Sequence, residues 1–361
     1  MCTRCGRHGK LLPLMPLFAR QLIILAGSST LLNLLAAAAP AATPPAGSRL
    51  RIVTFNAQCL AAPDTRDTRL PRFRWEIARR RHVEQVAHLV EVLEPDVLAL
   101  QEVTSQPAID LLLQVLAAKG LDRYAGYHAE SQDKFAGFDI AFVSRFKPDL
   151  VGGQPLRMLS SPSGDTTWRE SFSFTDENGR EVRRDTALTR HALFYFDVHG
   201  LKLGLLGLHL KADPSDAYSN ARRTAEARIA QRIIQQEIVA RGYKPIVLGD
   251  LNDYDPDVPD RDSRRSTKTN VLKLLKDYDP GQVGDELVNA AERIVRVADR
   301  FTSHWDINEN STSDDGDVFT MIDHILLHQS LAPKIRRTFV CRLSDLKTSD
   351  HWPVVVDLKL P

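Results

Sequence analysis

Cysteine is scarce in this sequence of 361 residues, which excludes a disulfide-dense scaffold. Of the four cysteines, Cys2 and Cys5 form a C-x-x-C near the start, but no second pair follows at the spacing of a zinc site. Cys59 and Cys341 are the other two. In an oxidising compartment they could form a disulfide, and the sequence leaves that question open.

Long apolar runs are also lacking, with one exception at residues 22–39. That run follows a basic stretch and precedes an Ala- and Pro-rich segment, which is the order of a secretory signal peptide. We therefore predict that residues 1–46 are a signal peptide and its Ala/Pro-rich segment, and that the protein is secreted or periplasmic. The alternative is that the same segment stays as a membrane anchor.

A strong net charge is absent as well. The whole chain has a formal charge of +1, and residues 47–361 carry 43 basic and 46 acidic groups. Such a chain has no global field that attracts a polyanion, so any contact with nucleic acid must use local basic patches. No Pro/Ser-rich linker interrupts residues 47–361, and we predict one catalytic domain over this range.

Apolar strands alternate with amphipathic helices along this range, which predicts an α/β (α+β) protein. Strands are predicted at 51–55, 97–100, 140–144, 193–198, 202–210, 245–249, 325–328, 338–343 and 354–358. Helices are predicted at 75–93, 107–119, 220–241 and 287–294. The polar stretch 254–285 is predicted to be a surface loop.

Polar residues of a few chemical types stand at the ends of these apolar strands. They are Asn56, Glu102, His209, Asp250, Asn252, Asp323, Asp350 and His351. One Asp or Asn at a strand end is commonly only a turn former. Repetition at six strand ends instead favours a functional site, since sheets of this class build their sites at one edge.

The blocks that hold these residues resemble, in order, the signature of the endonuclease/exonuclease/phosphatase superfamily. They read FNAQ (55–58), LQEV (100–103), LHLKAD (208–213), GDLND (249–253), MIDHILL (321–327) and SDHWPV (349–354). The resemblance covers nearly all of residues 47–361. It implies a four-layer α/β/β/α sandwich of two mixed sheets flanked by helices, and a metal-dependent phosphoesterase.

The resemblance also implies a metal site. Glu102, Asn56 and Asp350 are expected to hold Mg²⁺ or Mn²⁺, cations that prefer carboxylate and amide oxygens. Such a cation neutralises the charge that grows on a phosphate in the transition state.

Catalytic roles are implied for five further residues. His351 is expected to act as general base or to polarise the phosphate, with Asp323 orienting its ring. Asp250 would position or deprotonate the attacking water, and Asn252 would bind a phosphate oxygen. His209 would protonate the leaving oxygen or stabilise the transition state, although a histidine inside an apolar strand is also compatible with a core residue.

Four residues are candidates for the substrate side of the site. Arg222 and Arg223 follow the HLK block and are predicted to contact substrate or phosphate. Trp305 lies in the loop before Asp323 and is predicted to stack on a base or headgroup. Asp139 is predicted to pair with His209 as its carboxylate partner.

The expected substrate is a phosphodiester, with nucleic acid favoured and a secreted nuclease as the resulting function. The alternatives are a sphingomyelinase-like phospholipid phosphodiesterase, which would need an exposed apolar hairpin, and a phosphatase of small esters. A non-catalytic binding module on the same fold would have lost core residues, and none is missing. The sequence indicates no obligate protein partner, and a monomer is expected.

Overall fold

A computed structural model describes residues 45, 47–63, 65, 76–131, 138–162, 164–262, 269–310, 312–314 and 316–361, of which 76–78 are described by backbone alone. The predicted signal peptide therefore lies almost entirely outside the described residues. Within them, no helix combines the length and the apolarity needed to cross a bilayer.

Two mixed β-sheets form the centre of the described structure. The first sheet runs in the order β14 (Ile335–Val340), β15 (Val354–Lys359), β1 (Arg49–Leu60), β2 (Val97–Val103), β4 (Asp139–Ser144) and β3 (Ala125–Ala129). Within it, β1 and β2 are parallel and the other neighbours are antiparallel.

The second sheet has five strands. Its order is β10 (Leu287–Asn289), β13 (Asp323–His328), β9 (Lys244–Asp250), β8 (Leu201–His209) and β7 (His191–Val198). Here β8 and β9 are parallel, and the remaining pairs are antiparallel. Two hairpins lie apart from both sheets: β5 (Arg169–Thr175) with β6 (Glu181–Ala187), and β11 (Ser303–Trp305) with β12 (Val318–Thr320).

Alternation along the strands builds the layers, because successive side chains of a strand point to opposite faces. In β1, Ile52 packs into the core between the two sheets, whereas Val53 packs into the core under the helices. In β8 the same alternation sends Leu205 between the sheets and Leu206 to the outer side.

Helices cover the two outer faces. Helices α1 (Glu76–Leu93) and α2 (Gln106–Ala118) share a core with the first sheet, and α3 (Ala217–Ile233) and α4 (Val271–Lys276) share a core with the second. The predicted α/β/β/α arrangement of two mixed sheets between helices is thereby confirmed.

Several boundaries differ from the sequence prediction. The helix predicted at 220–241 is α at Ala217–Ile233, continues as a π-helix at Ile234–Ile238 and a 3₁₀ turn at Val239–Arg241, and ends at Gly242 with φ of 78°. The helix predicted at 287–294 is wrong. Those residues form β10 and a 3₁₀ turn at Ala290–Arg293, since pairing with β13 outweighs local propensity.

The predicted surface loop at 254–285 is only partly irregular. It contains the short helix α4, whose Val271, Leu272 and Leu275 pack into the outer core. Residues 263–268 lie outside the described residues.

Candidate active site

The strand ends of both sheets meet at one rim of the sandwich. In the second sheet, the register pairs Asp250 with both Asp323 and His209. In the first sheet, Asn56 stands opposite Gln101, directly before Glu102. The tertiary fold therefore gathers residues that are up to 295 positions apart in the sequence, from Asn56 to His351.

The backbone is irregular at Asn56 and at Glu102, two of the residues at the rim. The pairing of β1 with β2 shifts register between Asn56 and Leu60, and β2 shifts against β4 between Gln101 and Val103. Glu102 has a φ of 59°, a left-handed conformation that costs about 1–3 kcal/mol in a non-glycine residue. Bulges of this kind commonly redirect side chains beside functional sites.

Asn56 links the two sheets through its side-chain amide. Its Nδ2 donates to Glu102 Oε1 and to Asp250 Oδ2, both at 3.1 Å, and its Oδ1 accepts from the backbone N–H of Gln58. The oxygen predicted to bind metal is thus engaged with the backbone. In this geometry Asn56 orients the two carboxylates, and its binding of a cation stays a prediction.

The residue directly before Asp250 is Gly249, and a larger residue would not fit there. Its φ is 134°, and a Cβ at this position would lie 2.0 Å from the carbonyl oxygen of Leu208 on the neighbouring strand. Only glycine allows β9 to approach β8 so closely while turning Asp250 toward the rim.

His351 and Asp323 form a buried pair. His351 Nδ1 lies 2.7 Å from Asp323 Oδ2, and Asp323 Oδ1 has no hydrogen-bond partner among the described residues. Burial by itself would lower the pKa of His351, but the charges of Asp323 and Asp250 raise that pKa well above its ordinary value. The two carboxylates therefore favour the protonated form of the ring.

The pKa of Asp250 is raised as well, which here favours the neutral form of the group. Burial, and secondly the charge of Asp323, raise the pKa of Asp250 to about 7. Its Oδ1 accepts from the backbone N–H of Asn252, and its Oδ2 lies 3.8 Å from His351 Nε2. A carboxylate with a pKa near neutrality is suited to accept and release a proton at physiological pH.

His209 is kept neutral. Burial, and after it the charges of Arg190 and His351, hold the pKa of His209 well below its ordinary value. Its Nε2 lies 3.7 Å from Asp250 Oδ2. A neutral ring can still donate a hydrogen bond, but it is not the protonated acid that one of the two predicted roles requires.

Glu102 and Asp350 are the carboxylates with cation-binding character. Burial, and next the nearby charge of Asp350, raise the pKa of Glu102. Glu102 Oε2 accepts from the backbone N–H of Cys59 at 3.1 Å. Two carboxylates that repel each other in this way gain from a divalent cation between them, and their oxygens are the donors that Mg²⁺ prefers.

A second arrangement with metal-ligating atoms is present among the described residues. One potential ligand atom from each of Asp250, Asp323 and His351 lies within 4.8 Å of the others. In this group the atoms of Asp323 and His351 already face each other in a hydrogen bond. Asp323 Oδ1 keeps no partner among the described residues, so this group is a second candidate for a cation site.

A cavity of about 1010 Å³ opens beside the rim. Asn252, Asp350 and His351 line it on the catalytic side, and Tyr254 and Trp305 line it further out. Trp305 is 69% exposed, the largest exposed aromatic surface among the described residues. The predicted stacking residue is thus both accessible and next to the catalytic groups.

A second histidine–carboxylate pair, His304 with Asp317, lies behind the rim and was not predicted from the sequence. His304 Nε2 lies 2.6 Å from Asp317 Oδ2, and the backbone N–H of His304 donates to the carbonyl of Asp350. The ring stacks on Phe319 at 4.5 Å between centroids. The two residues are thirteen positions apart across an irregular loop, so no spacing in the sequence signals the pair.

The prediction that Asp139 pairs with His209 is wrong. Asp139 Oδ2 lies 2.9 Å from His128 Nε2, and its Oδ1 accepts from the backbone N–H of Ser131. Residues 128 and 139 are close because β3 and β4 are adjacent antiparallel strands. Asp139 therefore closes its own hairpin and is buried away from substrate.

The prediction that Arg223 contacts substrate is also wrong, because its side chain is fully buried. It pairs with Asp253 and donates to the Lys211 carbonyl, which ties α3 to the loops after β8 and β9. Arg222 pairs with the buried Glu226 at 2.9 Å. Neither arginine is among the described residues that line the cavity.

Cys59 and Cys341 are unbridged thiols, both buried. They lie in different apolar clusters, Cys341 under the helices of the first sheet and Cys59 beside Ala61. The disulfide that the sequence left open is therefore not formed.

Comparison with known proteins agrees with this geometry. The family model of the Endonuclease/Exonuclease/phosphatase family matches residues 53–351. No curated protein matches the sequence significantly.

Solved structures show the same fold at low identity. Truncated Caenorhabditis elegans TDP2 is 17% identical with a TM-score of 0.51, covering 87% of this chain and 99% of that one. A family protein from Leptotrichia buccalis is 14% identical with a TM-score of 0.52, covering 86% and 100%. The human Nocturnin catalytic domain with bound sulfate is 15% identical with a TM-score of 0.50, covering 88% and 95%.

Proposed function

The chain belongs to the endonuclease/exonuclease/phosphatase family, whose members hydrolyse phosphoester bonds, and from this premise we propose that it is a metal-dependent phosphodiesterase that cuts nucleic acid. One observation carries the proposal. The half-buried Glu102, the buried acids Asp250 and Asp323 and the buried His351 converge beside a cavity with an exposed tryptophan.

Glu102 and Asp350 would hold a divalent cation, Mg²⁺ or Mn²⁺. Their mutual repulsion and the burial of Glu102 fit a cation, and Asn56 keeps Glu102 in place. When bound, the cation supplies charge neutralisation at the phosphate and orients it for in-line attack.

Asp250 activates the nucleophile. With a pKa of about 7, a large fraction of Asp250 is ionised at neutral pH and takes a proton from the attacking water. The water oxygen forms a bond to phosphorus, the bond from phosphorus to the leaving oxygen breaks, and solvent water in the open cavity protonates the leaving oxygen.

His351 stabilises the charge that develops on the phosphate. Asp323 keeps its ring protonated and oriented, so His351 donates a hydrogen bond to a phosphoryl oxygen instead of acting as the base. Neutral His209 donates to the phosphate or the leaving oxygen, and the amide of Asn252 binds a further phosphate oxygen.

Nucleic acid is the favoured substrate. Trp305 at the mouth of the cavity offers a face on which a base can stack, an interaction that does not depend on sequence. A zebrafish TDP2 of the same fold, 20% identical with a TM-score of 0.50, is described in complex with a single-strand DNA product.

The β5–β6 hairpin gives no support to the phospholipid alternative. That alternative would need an exposed apolar hairpin, and the insertion at 150–190 contains the β5–β6 hairpin. Phe172 and Phe174 of this hairpin contact Tyr218 of α3 and so face inward. No large apolar side chain of residues 169–187 is exposed.

The proposal also includes the domain organisation, the oligomeric state and the cellular location of the protein. Residues 47–361 act as one catalytic domain and a monomer, and the signal-peptide pattern of residues 1–46 directs the protein to the periplasm or the medium.

The test is a parallel assay of residues 47–361 with Mg²⁺ or Mn²⁺ on plasmid DNA, sphingomyelin and a chromogenic phosphodiester. EDTA and the His351→Ala variant serve as negative controls. His88→Ala, the same change at an exposed site on α1, serves as the matched control. The expected result is metal-dependent nicking of DNA. EDTA and His351→Ala should abolish the nicking, and His88→Ala should leave it unchanged. Turnover of lipid or the small ester with DNA left intact would refute the nuclease.

A further inference from the structure

A groove lined with arginine lies outside the catalytic cavity. It encloses about 710 Å³ between the edge strand β14 and the segment 293–299. Five of its lining side chains are arginines, and we call it the arginine groove after Arg293, Arg296, Arg336, Arg337 and Arg342.

The groove has little negative charge. Its only acidic lining residue is Asp299, and within the described part of the chain Arg296 is the single member of the five with an ion pair, at 3.7 Å to Asp299. Both partners of that pair are exposed, so it contributes little. Since residues 47–361 carry more acidic than basic groups, this concentration of guanidinium groups runs against the overall charge.

Two features hold the guanidinium groups in place. Arg342 lies 3.4 Å from the Phe301 ring centroid and 4.7 Å from that of Trp352, and it donates to the Phe301 carbonyl at 2.5 Å. Arg337 lies 4.3 Å above Phe339 in the groove. Stacked guanidinium groups are pre-organised, so less rotamer entropy is lost when they bind an anion.

Strand β14 contributes two consecutive arginines to the groove. Arg336 and Arg337 both line it, where the pairing of β14 with β15 shifts register between Ile335 and Arg337.

The wall of the groove is connected to the catalytic rim through contacts within the protein. Arg342 packs on Trp352, the residue directly after His351, and the backbone N–H of Trp352 donates to the carbonyl of Thr302. Ser303, next to Thr302, forms a β-bridge with His351 itself.

We propose that the arginine groove binds the phosphodiester backbone of a nucleic-acid strand whose scissile phosphate lies in the catalytic site. The inference rests on the proposed nuclease function and extends it to polymers. Guanidinium groups pair with phosphates in a bidentate manner, and this groove supplies five of them against one carboxylate, that of Asp299. The groove predicts a preference for long over short substrates.

The test compares Arg293→Gln/Arg337→Gln with Arg183→Gln/Arg184→Gln. Within the described residues, neither Arg293 nor Arg337 makes a side-chain hydrogen bond or ion pair, so the first variant should fold. The control removes the same charge from exposed positions on β6, which packs near α3 rather than β14.

Binding of 6- and 20-nucleotide single strands is measured by fluorescence anisotropy over a series of KCl concentrations. His351→Ala is added to each protein to prevent turnover. The groove variant should bind the 20-mer about tenfold more weakly at low salt, with a log–log salt slope smaller by about 1.4 for two lost phosphate contacts. Without His351→Ala, its turnover of a chromogenic phosphodiester should be unchanged.

Equal affinity and slope in both variants, or an equal loss in both, would overturn the proposal. So would loss of binding to phosphatidylserine vesicles with unchanged DNA affinity, since the occupant would then be a lipid surface. Failure of the proposed nuclease function would give a different result. The protein would then bind the 20-mer through the groove, leave DNA intact and hydrolyse only the small ester.

Discussion

His351 Nδ1 and Asp323 Oδ2 lie 2.7 Å apart in a buried ion pair at the rim where the two sheets meet. The aspartate determines the protonation state of the histidine, because its charge offsets the cost of burying an imidazolium. We propose that this charge makes His351 a donor to phosphate, which is one of the two roles that the family resemblance implies for it.

Asp323→Asn should remove the negative charge of this pair and keep nearly the same side-chain shape. Loss of the negative charge lowers the pKa of His351, so the alkaline limb of the kcat–pH profile should move to lower pH. We expect kcat at pH 8 to fall by about 10²–10⁴-fold, the usual contribution of one acid–base group. A profile with its alkaline limb unmoved would mean that His351 does not act as an imidazolium.

Glu102→Gln should abolish metal-dependent turnover without loss of folding. The substitution removes a carboxylate whose pKa is raised by burial and by Asp350, so the metal-free protein should be no less stable. Mn²⁺ titration by calorimetry measures the expected loss of affinity. Glu84→Gln on the exposed face of α1 is the matched control. Full Mn²⁺ affinity in Glu102→Gln would move the cation to the Asp250–Asp323–His351 group.

Asp250 predicts an unusual dependence of stability on pH. Its folded pKa of about 7 is raised above the unfolded value, so the folded state binds this proton more tightly. Stability from this group is present below about pH 4 and is lost as pH rises toward and through 7. Because one pKa unit corresponds to about 1.4 kcal/mol, the loss is on the order of 2–4 kcal/mol. In EDTA, urea unfolding of Asp250→Asn should show a smaller decrease in free energy of unfolding between pH 5 and 8 than the parent protein shows. Parallel curves for the two proteins would contradict this assignment.

Asp317→Asn should weaken catalysis although Asp317 touches no catalytic side chain. Its partner His304 donates through its backbone to the Asp350 carbonyl, so the pair positions a proposed metal ligand. We expect about a tenfold loss in Mn²⁺ affinity, as for other residues that support metal ligands, with the KM for substrate little changed at saturating metal. Asp314→Asn in the same loop is the control. Equal effects of both substitutions would indicate general loosening of the loop.

Trp305→Ala should raise KM for oligonucleotides and leave kcat nearly unchanged. One stacked base is worth about 1–3 kcal/mol, or roughly 5–150-fold. Trp305→Phe should restore part of the affinity because it keeps an aromatic face. Steady-state kinetics on a single-stranded 12-mer and on a chromogenic phosphodiester provide the comparison. An equal rise in KM for both substrates would show that Trp305 does not stack on a base.

Much of the fold could be predicted because apolar periodicity is local. The spacing of Val83, Val86 and Val90 predicts α1, and the apolar runs at 97–100 and 245–249 predict β2 and β9 with small errors at their ends. The failures are β10 and the segment 254–285. In these two segments, the pairing of β10 with β13 and the burial of the short helix α4 outweigh the local composition.

The sequence by itself determined which residues are candidates for the chemistry, since the core candidates stand at strand ends in recognisable blocks. Only the tertiary structure decided how they act. Protonation of His351 and neutrality of His209 follow from burial and from charges that are distant in the sequence. The partners of Asp139 and Arg223 likewise depend on which strands and loops become neighbours. The physical reason is that strand identity is a short-range property of the chain, whereas desolvation and charge proximity exist only after the two sheets have packed together.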